Sequence, residues 1–571
     1  MDVTFKVAGE AGQGLQTIGE ILAHAFARAG RHLFAHQDYM SRVRGGHNFF
    51  QVRVADVPVC ASRRDVNVLV ALSDQAIVEH RSEVVEGGAI IYDGERRKVT
   101  CSGRECFSVP LQRLAEEVGS RVMMNSVAVG AVWGLFRADF RFLEEELTEH
   151  FRDKGADVIS ANAKAGRAGY EFALKNYQGA CCYPFEPLTG RRLVLKGNEA
   201  LALGALAAGC RFMSAYPMTP STSITEFIAA EAERFNLVME QAEDEIAAIN
   251  LALGAAFAGV RSLVATSGGG FCLMVEALGL AGATETPIVI INGQRPGPST
   301  GLPTRTAQGD LLFVLHASQG DFPRVVLAPG DAEEAFYLAA KAFNIAERYQ
   351  LPVILLSDQH LADSYVTLEP FDLSRVTIDR GLTLSAEEGD RLGGNYKRHL
   401  LTDSGVSPRA FPGLGRALVV TAGDEHDEEG HLIEDGATRN QQMDKRMRKL
   451  EVLRAEMAGP KTFGDASAAV ALFSWGSTLG AVREAVELLN GRGQPVRGVH
   501  LSELWPFPRE KVSEALSGAK QVIGVEANYG GQGARLLRME TGVACTGSIR
   551  KYDGRCFTPD EIVEGLGKAV R

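Results

Sequence analysis

The chain has 571 residues, 45% of them hydrophobic and 23% charged, with a formal net charge of -11 and 62 glycines. That length exceeds what one hydrophobic core organises, so roughly three or four units are expected. The acidic balance excludes a general nucleic-acid binder, and no apolar run is long enough to cross a bilayer, the best (Leu251 to Val260) being closed by Asn250 and Arg261.

The opening MDVTFKVAGEAGQG lacks a basic stretch followed by an apolar one, so a cytoplasmic protein is expected. From Val3 to about Asn176, β-rich runs (VTFKVAG, NFFQVRV, NVLVAL, GAIIYDG) alternate with helical patterns such as LQTIGEILAHAFARAG, which predicts a first α/β domain over residues 1–178. QGACCYPFEPLTGRR is rich in Gly and Pro and aperiodic, and reads as a linker over 179–192. Residues 193–380 read strand, turn and helix again (SLVATS, FCLMVEALGLAGA, PIVIING, LPVILLSD) and predict a second doubly wound sheet. Residues 381–462 are polar and irregular, a connecting segment holding DEHDEEGH and the basic stretch DKRMRKLEVLRAEM, whose Lys445, Arg446, Arg448 and Lys449 read as a solvated face. Residues 463–571 return to β then α (AAVALFSWGST, VRGVHLSELWPF, QVIGVEANYGG). The fold class predicted is therefore α/β, with three Rossmann-like, doubly wound domains. The nine cysteines are odd in number, never spaced C-x-x-C, and read as reduced thiols.

Gly9, Gly12 and Gly14 follow a strand and open a helix, where bare amides and the helix dipole suit a phosphate; a tight turn holding nothing would look the same. Their spacing is G-x-x-G-x-G rather than the dinucleotide fingerprint, which counts against a dehydrogenase using NAD. SRVRGGHNFF places Arg42 and Arg44 beside Gly45 and Gly46, either as a phosphate contact or as a solvated loop. In YPMTPSTSITEF, Thr219 before Pro220 is the pattern of an N-cap followed by proline at the first helical position. MEQAEDEIAAINLALGAAFAG puts Glu245 at the edge of an apolar helix, where a carboxyl group held out of water can share a proton with a ring nitrogen; such acid runs are otherwise solvated first turns. Arg295 follows the strand PIVIING at the carboxyl end where α/β sheets place ligands, and Arg305 lies in the same loop. His426 and His431 with their acidic neighbours could bind a metal, although hydrated charge runs are commoner, and no metal site is expected.

Together these motifs resemble, across nearly the whole chain, the 2-oxoacid:ferredoxin oxidoreductases, and within them an α subunit with the γ domain fused at its N-terminus. GEAGQG and SRVRGGHN are similar to the γ domain, LKGNEALALGALAAGCRFMSAYPMTPST to the start of the pyrimidine-binding domain, and WGST, LWPFP and EANYGGQ to the transketolase C-terminal-like domain. The resemblance implies that Glu245, nine residues before Gly254, contacts the aminopyrimidine of thiamine diphosphate. It implies that Thr219 and Arg295 hold the substrate, and that Tyr216, Pro217, Ser267 and Gly268 line the thiamine side. Gly9, Gly12, Gly14, Arg42 and Arg44 would line the coenzyme A side. The superfamily's Mg²⁺-diphosphate motif begins G-D-G, which is absent here, as is a closely spaced set of four cysteines for an iron–sulfur cluster. The resemblance therefore implies a β subunit that supplies Mg²⁺, the diphosphate half of the site and a 4Fe-4S cluster, ferredoxin as electron acceptor, and a dimer of αβ units, with no nucleic acid or membrane partner. The implied reaction is oxidative decarboxylation of a 2-oxoacid with transfer of the acyl group to coenzyme A, reversible toward CO2 fixation. The fused arrangement favours 2-oxoglutarate, with Arg305 as the cation for its second carboxylate. Pyruvate or a branched-chain 2-oxoacid is the alternative, and a non-catalytic assembly subunit is the reading from another class.

Overall fold

The computed structural model describes residues 1–41, 45–96, 105–179, 183 and 185–569. It divides into two compact units, one of residues 1–196 with 363–370 and 558–561, the other of 197–362, 371–557 and 562–571.

The first unit is built on an eight-stranded sheet. Its middle strand, Asp2–Glu10, pairs in parallel with Val66–Ala71 and antiparallel with His47–Ala55, which pairs antiparallel with His32–Asp38. The sheet is thus mixed rather than doubly wound throughout, because so short a connection as 39–46 joins only antiparallel neighbours. Helix Leu15–Arg28 buries Ile18, Leu22 and Phe26 against one face, and Phe5, Phe26, Trp133 and Phe136 form an aromatic centre. Phe185 of the expected linker also packs on Phe26 and Trp133, and the backbone amide of Leu188 donates to the Ala29 carbonyl at 2.9 Å. Strand Leu193–Lys196, expected to open the second domain, instead edges this sheet by pairing with Tyr365–Leu368. Sheet pairing through space, which a composition shift does not report, moves that boundary.

The second unit holds two sheets. In the seven-stranded one, Val325–Leu327, Pro352–Asp358, Ile288–Gln294, Ser262–Ser267, Phe212–Ala215 and Val238–Gln241 run parallel in that order, with Glu503–Trp505 antiparallel at one edge. The five-stranded one centres on Val470–Trp475 between parallel Val496–Leu501 and Gln521–Glu526. Val264, Phe271 and Ile290 of the larger sheet layer share one core with Phe473, Trp475 and Val499 of the smaller.

The connecting segment corrects two expectations. Of the four basic residues expected to form a solvated face on helix Gly436–Glu456, only Arg448 is exposed: Lys445 and Lys449 are fully buried and both donate to Glu285, Lys445 at 2.6 Å, while Arg446 makes a two-pronged pair with Glu425 at 2.8 Å. In DEHDEEGH, His426 is buried with its ring centroid 3.9 Å from that of His399 and its Nδ1 2.9 Å from the Asp424 carbonyl. Part of the charge run is paired, Glu425 with Arg446 and Arg439 and Glu428 with Lys397 at 2.8 Å, while Asp424 and His431 stay exposed. Burial would raise the Glu285 carboxyl, but Lys449 and Lys445, helped by His399, hold it well below the ordinary carboxylate range. A carboxyl lowered in this way adds stability above its unfolded-state value, and that stability is lost as pH falls through the folded-state value. Glu285→Gln is therefore expected to destabilise the chain by about 3 kcal/mol at neutral pH, leaving two buried ammonium groups short of a counter-charge, and to flatten the acid limb of the stability curve; denaturant melts across pH measure both. Unchanged melts would remove this role. The thiol expectation is corrected as well: Cys106 is disulfide-bonded, whereas Cys210, Cys272 and Cys545 are free thiols. Odd count and spacing in sequence do not report which sulfurs meet. Among the described residues no helix is long and apolar enough to cross a membrane.

Candidate active site

The strands Phe212–Ala215, Ser262–Ser267 and Ile288–Gln294 run parallel, so their carboxyl ends open on one edge of the sheet, the edge where such sheets bind ligands. The two longer strands have apolar middles and polar ends toward the site: Thr266, Ser267, Asn292 and Gln294 are all buried. Buried polar side chains are costly unless partnered, yet Ser267 Oγ and Asn292 Oδ1 have no hydrogen-bond partner in the protein.

Glu245 is the first residue of helix Glu245–Phe257, whose N-cap Asp244 accepts from the Ala247 amide at 2.7 Å. It is 3% exposed, and its Oε1 is buried without a hydrogen-bond partner. The glycine turn that opens helix Gly268–Ala283 lies against it: a Cβ at Gly270 would stand 2.7 Å from both Glu245 Cγ and Oε1. A carboxylate oxygen so placed calls for a donor from a bound molecule, and the protonated nitrogen of a flat heteroaromatic ring meets that need.

Thr219 and Arg295 come together, since Arg295 Nη1 donates to the Thr219 carbonyl at 2.9 Å. Thr219 is not the N-cap its sequence pattern suggests. The chain turns at 218–221, with the Ser221 amide bonded to the Met218 carbonyl at 2.9 Å and a cis Thr219–Pro220 bond, and the helix begins at Thr222. Pro220 rests on Gly293, where a Cβ would meet its Cγ at 3.0 Å, and Asn198 Nδ2 donates to the Pro220 carbonyl at 2.8 Å. Burial draws the half-buried Arg295 guanidinium below its ordinary value, with Asp310 working against that.

Asp310 is a residue that sequence reasoning missed. Burial raises its carboxyl above the ordinary range despite a 3.1 Å hydrogen bond from Asn292 and the nearby charge of Arg295. Its amide donates to Gln294 Oε1 at 3.0 Å, and a Cβ at Gly268 would stand 2.5 Å from its Oδ2. Nothing in AQGDLLF marks it, because a lone acid after glycine is an ordinary turn. Of the other residues expected here, Tyr216 is 41% exposed, Pro217 is exposed, Ser267 is buried and Gly268 half-buried at the helix start. Arg305 is buried, its amide donates to the Leu302 carbonyl at 3.1 Å, and its Cβ lies 2.9 Å from where a side chain at Gly554 would begin.

In the first unit, Gly12 and Gly14 adopt positive φ (90° and 76°) and Gly14 is the N-cap of Leu15–Arg28. Gln13 Oε1 accepts from the Glu10 amide at 2.9 Å, close to where a Cβ on Gly9 would fall. Gly12 and Gly14, with Gln16, Thr17, Asp38 and Tyr39, line a cavity of about 590 Å³. Arg42 and Arg44 lie outside the described residues.

Comparison with known proteins follows the same division. Residues 4–172 match the family described as pyruvate ferredoxin/flavodoxin oxidoreductase, 203–445 that described as pyruvate flavodoxin/ferredoxin oxidoreductase, thiamine diP-bdg, and 468–562 pyruvate:ferredoxin oxidoreductase core domain II. The chain is 35% identical to a 2-oxoacid:ferredoxin oxidoreductase subunit alpha from Sulfolobus sp, covering all of this chain and 97% of that one. It is 31% identical to the 2-oxoglutarate oxidoreductase subunit KorA of Mycobacterium tuberculosis, covering 98% and 90%. A solved 2-oxoglutarate:ferredoxin oxidoreductase from Magnetococcus marinus, with 2-oxoglutarate, coenzyme A and succinyl-CoA bound, has a TM-score of 0.93 to it, with 32% identity over the whole of both chains.

Proposed function

Because this chain belongs to the 2-oxoacid:ferredoxin oxidoreductase family, among its alpha subunits, we propose that it supplies the proton-handling and substrate-orienting half of a site converting 2-oxoglutarate, coenzyme A and oxidised ferredoxin to succinyl-CoA, CO2 and reduced ferredoxin, reversibly. The observation that carries this reading is the buried, unpartnered Oε1 of Glu245 against the glycine turn at Gly270. Such a carboxylate fits the edge of an aminopyrimidine, which brings the missing donor, while the bare Gly270 lets the helix start pack close against Glu245 and Thr266. Thiamine diphosphate, when bound, supplies the carbon nucleophile that decarboxylation of a 2-oxoacid requires. Glu245 holds a proton at the pyrimidine ring nitrogen through Oε1. Tyr216, Pro217, Ser267 and Gly268 would line the pyrimidine. Arg295 grips the substrate's carboxylate while its Nη1 keeps the 218–221 turn in place, and the Thr219 hydroxyl orients the 2-oxo group. Gly9, Gly12 and Gly14, with Arg42 and Arg44, serve coenzyme A from the glycine-loop side.

In this reading a β subunit carries the diphosphate, Mg²⁺ and the 4Fe-4S cluster, since this chain has neither the G-D-G motif nor a closely spaced set of four cysteines. That cluster would supply one-electron transfer to ferredoxin, and the working assembly is a dimer of αβ units in the cytoplasm. The choice of 2-oxoglutarate rests on the names of the relatives above, with Arg305 as the cation for the second carboxylate. Co-expression with a β subunit and an assay of coenzyme A-dependent reduction of a low-potential dye tests it: 2-oxoglutarate is expected to exceed pyruvate in kcat/KM, and Arg305→Ala to erase that preference. Faster turnover of pyruvate discards the substrate choice, and an unchanged preference discards Arg305. No turnover on any 2-oxoacid by a complex loaded with cluster and thiamine diphosphate overturns the catalytic role.

A further inference from the structure

Strand His47–Ala55 sends alternate side chains to opposite faces of the first sheet. Phe50 packs on helix Leu15–Arg28 at Gly19, whereas His47 and Phe49 face helix Asp74–His80. On that second face His47 Nε2 lies 2.7 Å from His80 Nε2 and 3.6 Å from Glu79 Oε2, and one ligand atom from each of the three residues falls within 4.8 Å of the others. Both imidazoles are buried, at 7% and 5% exposure, while the Glu79 side chain is 44% exposed.

We infer that His47, His80 and Glu79 form a binding site for a divalent cation of the zinc class, clamping helix Asp74–His80 to strand His47–Ala55. The groups behind the three residues are arranged as such a site requires. His80 Nδ1 lies 3.0 Å from Glu83 Oε1. A carboxylate only accepts, so Nδ1 carries the ring proton and the Nε2 lone pair is left aimed at His47, the carboxylate–histidine arrangement that orients metal ligands. Glu79 Oε1 accepts from Gln75 Nε2 at 2.7 Å, which turns Oε2 toward the histidines. Lys6, 3.4 Å from His80 Nδ1, is ion-paired with Glu83, so its charge is matched there and Glu79 brings the negative charge to the cation. Two imidazoles and one carboxylate are the donor set of zinc rather than of magnesium or calcium, which take oxygen ligands. Zinc–nitrogen bonds of about 2.0–2.1 Å at a tetrahedral angle put the two nitrogens roughly 3.3 Å apart, a change these side chains reach by small rotations.

Nothing in the order of residues marks the site, because its ligands are split between a glycine-rich loop end and the EH at the end of a helix, and adjacent helical residues do not ordinarily share a ligand. The test uses the full chain, stripped with a chelator and titrated with Co²⁺ as the probe. One equivalent is expected to give the visible d–d bands of tetrahedral Co²⁺, to be bleached by Zn²⁺, and to raise the melting temperature. His80→Gln should abolish the bands, and Glu79→Gln should weaken binding by roughly tenfold or more. His431→Gln, on the exposed His431, should change nothing. Glu79 lies at the surface, so its variant decides the matter even if the His80 variant misfolds. Absence of the bands in the wild-type chain, or binding that Glu79→Gln leaves unchanged, overturns the site; the pair is then two histidines sharing a hydrogen bond.

Discussion

Replacing Glu245 by glutamine in the assembled enzyme is expected to lower coenzyme A-dependent turnover by roughly 10²- to 10⁴-fold, the range that a positioned proton-transfer group contributes. Glutamine is nearly isosteric and keeps an acceptor, so the pocket beside Gly270 stays filled, but it cannot take and return a proton. The helix start is held by Asp244 rather than by Glu245, so folding and subunit assembly should survive. The measurement has three parts: steady-state turnover, cluster and cofactor content of the purified complex, and exchange of the thiazolium carbon proton with deuterium followed by NMR. Loss of turnover together with slowed exchange, at normal cofactor content, is the expected pattern. Near-normal turnover would remove Glu245 from the chemistry.

Arg295→Lys is expected to lower kcat/KM for the 2-oxoacid by roughly 10²- to 10³-fold, the cost of losing one well-placed donor to developing charge. One guanidinium prong is engaged by the Thr219 carbonyl at 2.9 Å, which leaves the rest of the fork for a carboxylate. A lysine ammonium keeps the charge but offers a point rather than a fork, so it must choose between the turn and the substrate. Most of the loss should fall on KM when the turn is kept and on kcat when it is released. Saturation kinetics on the variant separates the two, and kinetics equal to the parent's would show that Arg295 does not touch the substrate.

Much of this was legible in the order of the residues. Alternating apolar runs followed by glycine-rich turns announced α/β layers, because strand and helix periods report which side of each element is dry. The polar tails of SLVATS and IVIINGQ stand where parallel strands deliver side chains to a ligand, and Glu245, Thr219 and Arg295 are singled out as candidates on motif and place. Asp310 was not, since its meaning comes from Gly268 and Arg295, residues brought beside it by separate strands.

By itself, then, the sequence determined the local elements, the motifs proposed for the chemistry, and what this chain lacks, the G-D-G motif and four close cysteines. Only the tertiary structure decided which charges are dry. Lys445 and Lys449 read as a solvated face until Glu285, some 160 residues earlier, is found buried between them. It likewise decided that Leu193–Lys196 edges the first sheet, that Cys106 is bonded, and that His47 meets Glu79 and His80. The physical reason is common to all of these. Periodicity and turn chemistry act over a few residues and are written locally, whereas pairing of charges, sulfurs, ligands and sheet edges depends on which distant segments the fold brings within a few ångströms.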